Sequence, residues 1–205
     1  MAKAAQANAR TFTQKARRAQ IIEAAIETLA EAGYAKATFS RISQQAELCS
    51  TGLISYHFSG KPELLREAAR TIVAQAESVA GSRIGTERTY RGKLNAYIAA
   101  SFEFVVRYPV HTRALTEIVA MIRDRRITGL DEVEHTLMSV DRLASLLERG
   151  RRAGEFGTFD SLAMALAIRG AIDNVLCHHF RTAEVDLNHC ARELTTMFDR
   201  CTRPA

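Results

Sequence analysis

The chain has 205 residues, 47% of them hydrophobic and 25% charged, with a formal net charge of +5. That is apolar material for one ordinary core, or for a small domain joined to a larger one, and it excludes a disordered or fibrous protein. No apolar run approaches the roughly 18 residues of a membrane-spanning helix, and the basic N-terminus lacks the hydrophobic segment of a signal peptide. Cys49, Cys177, Cys190 and Cys201 form no CxxC pair. The expectation is therefore a cytoplasmic protein with reduced thiols, no membrane contact and no resident cofactor or metal. Charge is uneven along the chain: residues 1–70 hold ten Lys and Arg against six acidic residues, whereas the remaining 135 hold eighteen against seventeen. Such a balance aims the N-terminal third at a polyanion.

Residues 1–13 read as a flexible, basic, Ala-rich tail. From about Gln14 to Ala32, Ile21, Ile22, Ala25, Ile26 and Leu29 recur at helical spacing, with Arg17, Glu23, Glu27 and Glu31 mostly opposite. The pattern predicts an amphipathic helix, stopped by a left-handed cap at Gly33. Thr38 is the expected N-cap of a short second helix through Phe39, Ile42 and Ala46, ending near 47. A third short helix is expected over 50–58, after which Ser59-Gly60 breaks the chain. Pro62 suits the first turn of a fourth helix, where its missing N–H has no intrahelical partner. That helix buries Leu64, Leu65, Ala68, Ala69, Ile72, Val73 and Ala76 and is expected to end near Ala80, with a domain boundary at Gly81-Ser82. Longer apolar helices follow over about 87–107, 110–126, 130–153 (Val133, Leu137, Val140, Leu147), 159–180 and 186–201. With no alternating strand pattern, the fold class is all-α. The domains are a helix-turn-helix over 14–60, a connecting helix over 61–81, and a larger domain over 82–205.

Two short helices joined by a tight turn and braced by an amphipathic helix on either side outline a helix-turn-helix. In the third helix Ile54 and Phe58 lie four apart and can both point inward, leaving Thr51, Gly52, Leu53, Ser55, Tyr56 and His57 outward. Small and polar residues suit a helix that enters a major groove about 12 Å wide, where hydroxyls bond base edges or phosphates and Leu53 meets a thymine methyl.

The run GYAKATFSRISQQAELCSTGLISYHFSGKPELL resembles the DNA-binding domain of the tetracycline-repressor (TetR) family of bacterial transcription regulators. The matching features are Gly33-Tyr34, Thr38, Ile42, Ala46, Thr51-Gly52, Tyr56-His57-Phe58, Lys61 and Leu64-Leu65. Two features depart from the family pattern. The turn reads Ala46-Glu47-Leu48 where the family usually has a glycine, and Cys49-Ser50 makes it one residue longer than the commonest form. The resemblance implies that Thr51, Gly52, Leu53 and Tyr56 face base edges of double-stranded DNA, and that Thr38, Ser50, Ser55, His57 and Lys61 clamp phosphates.

For the larger domain the resemblance implies a small-molecule effector and a homodimer. Apolar Tyr90, Tyr97, Phe102, Phe104, Tyr108, Met121 and Ile122 are candidate pocket walls, and His111, Arg113 and Glu117 candidate polar groups. The last two helices present Leu162, Leu166, Ile172, Val175 and Leu176, then Leu187, Leu194, Met197 and Phe198. Small residues Ala163, Ala167, Gly170 and Ala171 permit close approach, and the resemblance implies that these helices pair in a four-helix bundle. The implied function is a repressor released from a palindromic operator by its ligand, with an activator of the same fold as the alternative. Enzyme motifs (GxGxxG, P-loop, GxSxG, HExxH) are missing. A metal- or thiol-responsive regulator is the remaining alternative, through Cys177-His178-His179, His189-Cys190 and Cys201.

Overall fold

The computed structural model describes residues 2–123, 140–182 and 184–204, with backbone alone for 2–12 and 122–123. The described residues form helices α1 (Ala2–Lys36), α2 (Phe39–Gln45), α3 (Gly52–His57), α4 (Lys61–Thr86), α5 (Tyr90–Arg107), α6 (Pro109–Arg123), α7 (Asp141–Arg152), α8 (Ser161–Thr182) and α9 (Leu187–Cys201), and no strand. The expected helix over 130–153 is seen from Asp141 onward; Val133 and Leu137 lie outside the described residues, as does the side chain of Ile122.

Several boundaries move for identifiable reasons. Helix α1 begins at Ala2 rather than near Gln14. Its first turns are rich in alanine, the strongest helix former, but carry no apolar stripe, so periodicity is blind to them. Helix α1 is interrupted at Gly33, where φ 73° and ψ 170° take the chain out of helical geometry before a last turn through Lys36. The expected left-handed cap is thus an extended mirror-image conformation. Helix α4 runs through Gly81-Ser82 to Thr86. Glycine in a helix costs only about 1 kcal/mol, and the Ser82 hydroxyl donates back to the Ser78 carbonyl at 2.8 Å, so the pair does not stop the helix.

The chain divides into two compact units, Met1–Ile72 with Val110–Glu134 and Val73–Pro109 with His135–Ala205. In the first, Ile21, Ile26, Leu29, Ile42, Ile54, Phe58, Leu64, Leu65 and Ile72 are buried to within 2% of full coverage. In the second, α5 lies at the centre, with α7, α8 and α9 all packed on it. Leu94, Ile98, Phe102, Val105, Leu147, Ile168, Ile172 and Phe198 meet there in one core.

Candidate nucleic-acid interface

The interface candidate is built on α2, the following turn and α3. Thr38 caps α2 as expected: its Oγ1 accepts from the Arg41 amide at 3.3 Å. The helix ends in a Schellman motif, with Leu48 N donating to Ser43 O at 2.8 Å and Glu47 N to Gln44 O at 3.0 Å. Such a motif needs a left-handed residue just past the cap, usually glycine. Here Glu47 takes it, at φ 50°. The missing turn glycine therefore leaves the turn formed, with the strain held by a glutamate.

Helix α3 is a short peg with one anchored side. Ile54 is fully buried and Phe58 is 2% exposed, while Tyr56 is 70% exposed. Thr38, Ser50, Thr51, Gly52 and Ser55 are exposed, and Leu53, His57 and Lys61 are partly covered. The Tyr56 and His57 rings meet edge to face at 5.1 Å, and the Tyr56 hydroxyl accepts from Gln14 at 3.3 Å. Ser50 to His57 lie on α3 or in the residues directly before it, whereas Thr38 lies at the start of α2.

Side chains to which the sequence reading gave no such contact hold this peg and its turn in place. Arg18 of α1 donates to the His57 carbonyl at 2.6 Å, lies 4.2 Å from the Phe58 ring centroid, and reaches Glu63 and Glu67 of α4 at 3.4 and 3.5 Å. Gln20 donates to the Ala46 carbonyl and Gln45 to Glu27, both at 2.7 Å. The Glu63 carboxylate accepts from both the amide and the hydroxyl of Ser59 at 2.7 Å, and these bonds hold its pKa below the usual carboxylate range. The Ser59-to-Glu63 link is close to a capping box, in which an acidic residue of the first turn reaches back to an amide at the helix start, but its spacing is one residue longer, so the usual pattern does not reveal it.

Lys61 stands apart from the other predicted contacts. Its Nζ donates to the Tyr34 carbonyl at 2.6 Å and sits 3.9 Å from the centre of the Tyr34 ring. Burial there pulls its pKa down.

The predicted pocket residues fall in both units. In the first, His111 lies 3.3 Å from Glu23, Glu117 accepts from the Tyr34 amide at 3.2 Å, Arg113 is exposed and Met121 half-buried. In the second, Phe102 is a core residue and Phe104 is buried, while Tyr90 and Tyr97 pack on that core. Tyr108 lines a 390 Å³ cleft with Val79, Arg83, Glu103 and Arg107 among others. On α8 and α9, Leu162, Leu166, Phe180 and Met197 are 38–55% exposed, and Ala163, Ala167 and Gly170 are exposed among them. Ile172 and Phe198 instead point into the core. Cys49, Cys177 and Cys201 are exposed free thiols and Cys190 is half-covered. Among the described residues no three His, Cys, Asp or Glu side chains are gathered for a metal, and no helix is long and apolar enough to cross a membrane.

Residues 21–68 match the model of bacterial regulatory proteins of the tetR family. The HTH-type transcriptional regulator BetI of Paraburkholderia phytofirmans is 34% identical over 88 residues, covering 42% of this chain. That match spans 45% of the relative's own length, about half. The HTH-type transcriptional regulator BetI of Burkholderia ambifaria is 27% identical over 162 residues, 76% of this chain and 82% of the relative. The fold as a whole matches the fatty acid degradation regulator FadR of Bacillus halodurans, with a TM-score of 0.73, 21% identity, and coverage of 89% of this chain and 94% of that one.

Proposed function

We propose that this chain, which belongs to the tetR family of bacterial regulatory proteins, reads a DNA sequence with α3 and regulates transcription as a homodimer, repressing from a palindromic operator until a small molecule releases it. The observation that carries this reading is the construction of α3. A fully buried Ile54 and a nearly buried Phe58 lock it down, while Thr51, Gly52, Ser55 and a 70% exposed Tyr56 project outward. A helix that merely covered the surface would have little reason to be pinned so firmly on one side and display hydroxyls on the other. A groove reader needs both properties.

Thr51, Gly52, Leu53 and Tyr56 are the proposed base-edge contacts. Thr38, Ser50, Ser55 and His57 are the proposed phosphate contacts; the Thr38 oxygen that caps α2 keeps its own O–H free to donate. Phosphate contacts position the protein and base contacts specify the sequence. The regulatory role is supported by relatives named as HTH-type transcriptional regulators, and the dimer by the exposed apolar residues of α8 and α9. The effector is proposed to act on the second unit, where a ligand shifts the DNA-competent population only as far as its differential affinity for the two states allows.

Selection of bound duplexes from random DNA, followed by titration of the winner across salt, tests the reading. The expected result is a palindrome with half-sites about one helical turn apart and an affinity that falls steeply as salt rises. Weak binding with no preferred sequence would overturn it.

A further inference from the structure

The break at Gly33 releases a backbone amide. With ψ at 170°, the chain leaves the helical ladder, and the N–H of Tyr34 needs an acceptor from elsewhere. Glu117 of α6 supplies it: Oε2 accepts from Tyr34 N at 3.2 Å. The same oxygen lies so close to Gly33 that a Cβ there would stand 3.2 Å away. On the other side of the same residue, Lys61 of α4 donates to the Tyr34 carbonyl at 2.6 Å and covers the Tyr34 ring at 3.9 Å. One residue at the end of α1 is therefore held from α6 through its amide and from α4 through its carbonyl and ring. One holding group is a carboxyl and the other an amine, the types of side chain that make charge-assisted bonds, which are the stronger kind.

The position of this clamp matters. Lys61 opens α4, three residues after the buried Phe58 that anchors α3, so what fixes α4 against α1 also fixes the direction in which α3 points. Glu117 lies on the helix that follows α5 in the chain, and α4 itself continues from the first unit into the second. We propose that Glu117 and Lys61 are positioning residues for DNA reading, acting through the Tyr34 peptide and touching neither bases nor phosphates. This inference rests on the DNA-binding reading above but adds to it. It also gives Lys61 a different role from the phosphate contact that its sequence position suggests.

The test compares the unaltered protein with Glu117→Ala, Glu117→Gln, Lys61→Ala and the Glu117→Ala/Lys61→Ala pair, on a preferred sequence and on unrelated duplex DNA, across salt. A lost positioning bond is expected to weaken the preferred sequence by about tenfold and leave unrelated DNA within about twofold. The slope of log affinity against log salt stays unchanged. Glu117→Gln, which keeps an acceptor, restores most of the loss, and the double variant loses less than the two singles combined because both act on one peptide. A Lys61→Ala slope reduced by about 0.9, with equal losses on both DNAs, identifies a phosphate contact and overturns the proposal. So do single variants that bind the preferred sequence unchanged. The clamp also has a readout without DNA, which separates its failure from that of the DNA reading. Exchange of the Tyr34 amide is expected to be slow in the unaltered protein and at least about tenfold faster in Glu117→Ala. Equal exchange in both overturns the clamp even if DNA is bound.

Discussion

Among the described residues of the first unit, Gly33 and Glu47 take a positive φ, and they call for opposite substitutions. Gly33 occupies a region of φ and ψ that is nearly closed to residues with a side chain. Gly33→Ala is expected to destabilise the protein by about 1–3 kcal/mol, and to press on the Glu117 carboxylate as well; urea unfolding monitored by circular dichroism measures it. Glu47 carries a left-handed φ of 50° at a position that any residue can hold at a cost and glycine holds freely. Glu47→Gly is expected to stabilise by roughly 0.5–1 kcal/mol, the relieved strain exceeding the entropy glycine adds to the unfolded chain. A midpoint shifted to lower urea would show that the turn is not under strain. Here the sequence was half legible. The absent turn glycine was visible as a departure from the family pattern, but whether the turn would reform around a glutamate depends on the Ser43 and Gln44 carbonyls, which no local pattern reveals.

At the scale of elements, helix caps and periodic apolar faces were readable because they are local. Thr38, the one N-cap the sequence marked, does cap α2; Thr89, which accepts from Gly92 N at 2.9 Å at the start of α5, and Asp186, which accepts from His189 N at 3.0 Å at the start of α9, are caps that the sequence reading did not name. What ties elements together was not readable. Arg91 and Asp199 are 108 residues apart, yet their side chains bond at 2.6 to 3.0 Å and join α5 to α9, with Arg203 adding a bond at 2.8 Å. Bonds from the two arginines hold the Asp199 carboxyl below the ordinary carboxylate range. A carboxylate whose pKa is depressed by folding stabilises the protein fully above its unfolded value, and that contribution disappears as pH falls through its folded value. Unfolding midpoints are therefore expected to drop below about pH 4. Asp199→Asn should be less stable at neutral pH and show a shallower acid decline than the unaltered protein; parallel pH curves would rule the link out. The same distance blindness explains the pocket residues. His111 and Glu117 read as polar groups that could orient a ligand, whereas they face Glu23 and Tyr34 across more than 80 residues of chain.

At the scale of the whole molecule, the proposed function makes the surface of α8 the candidate that decides whether one α3 or two reach the DNA. Leu162 and Leu166 are more than half exposed, one turn apart, with Ala163, Ala167 and Gly170 beside them. Ile168 and Ile172 on the opposite side fill the core. A charge placed at Leu166 therefore leaves the protomer's interior untouched and strikes only what covers that face. Leu166→Glu is expected to turn a dimer into a monomer in sedimentation, because a pair of opposed carboxylates in an apolar contact is doubly unfavourable. Operator affinity should fall with it by about 10²–10⁴, the gain that a second tethered half-site reader confers, while the thermal unfolding of the protomer changes little. Should Leu166→Glu remain dimeric and bind its operator as before, the apolar face of α8 is not the interface, and the two readers must be joined elsewhere. A monomer that kept full operator affinity would go further, since a single α3 spans too few base pairs to read a palindrome.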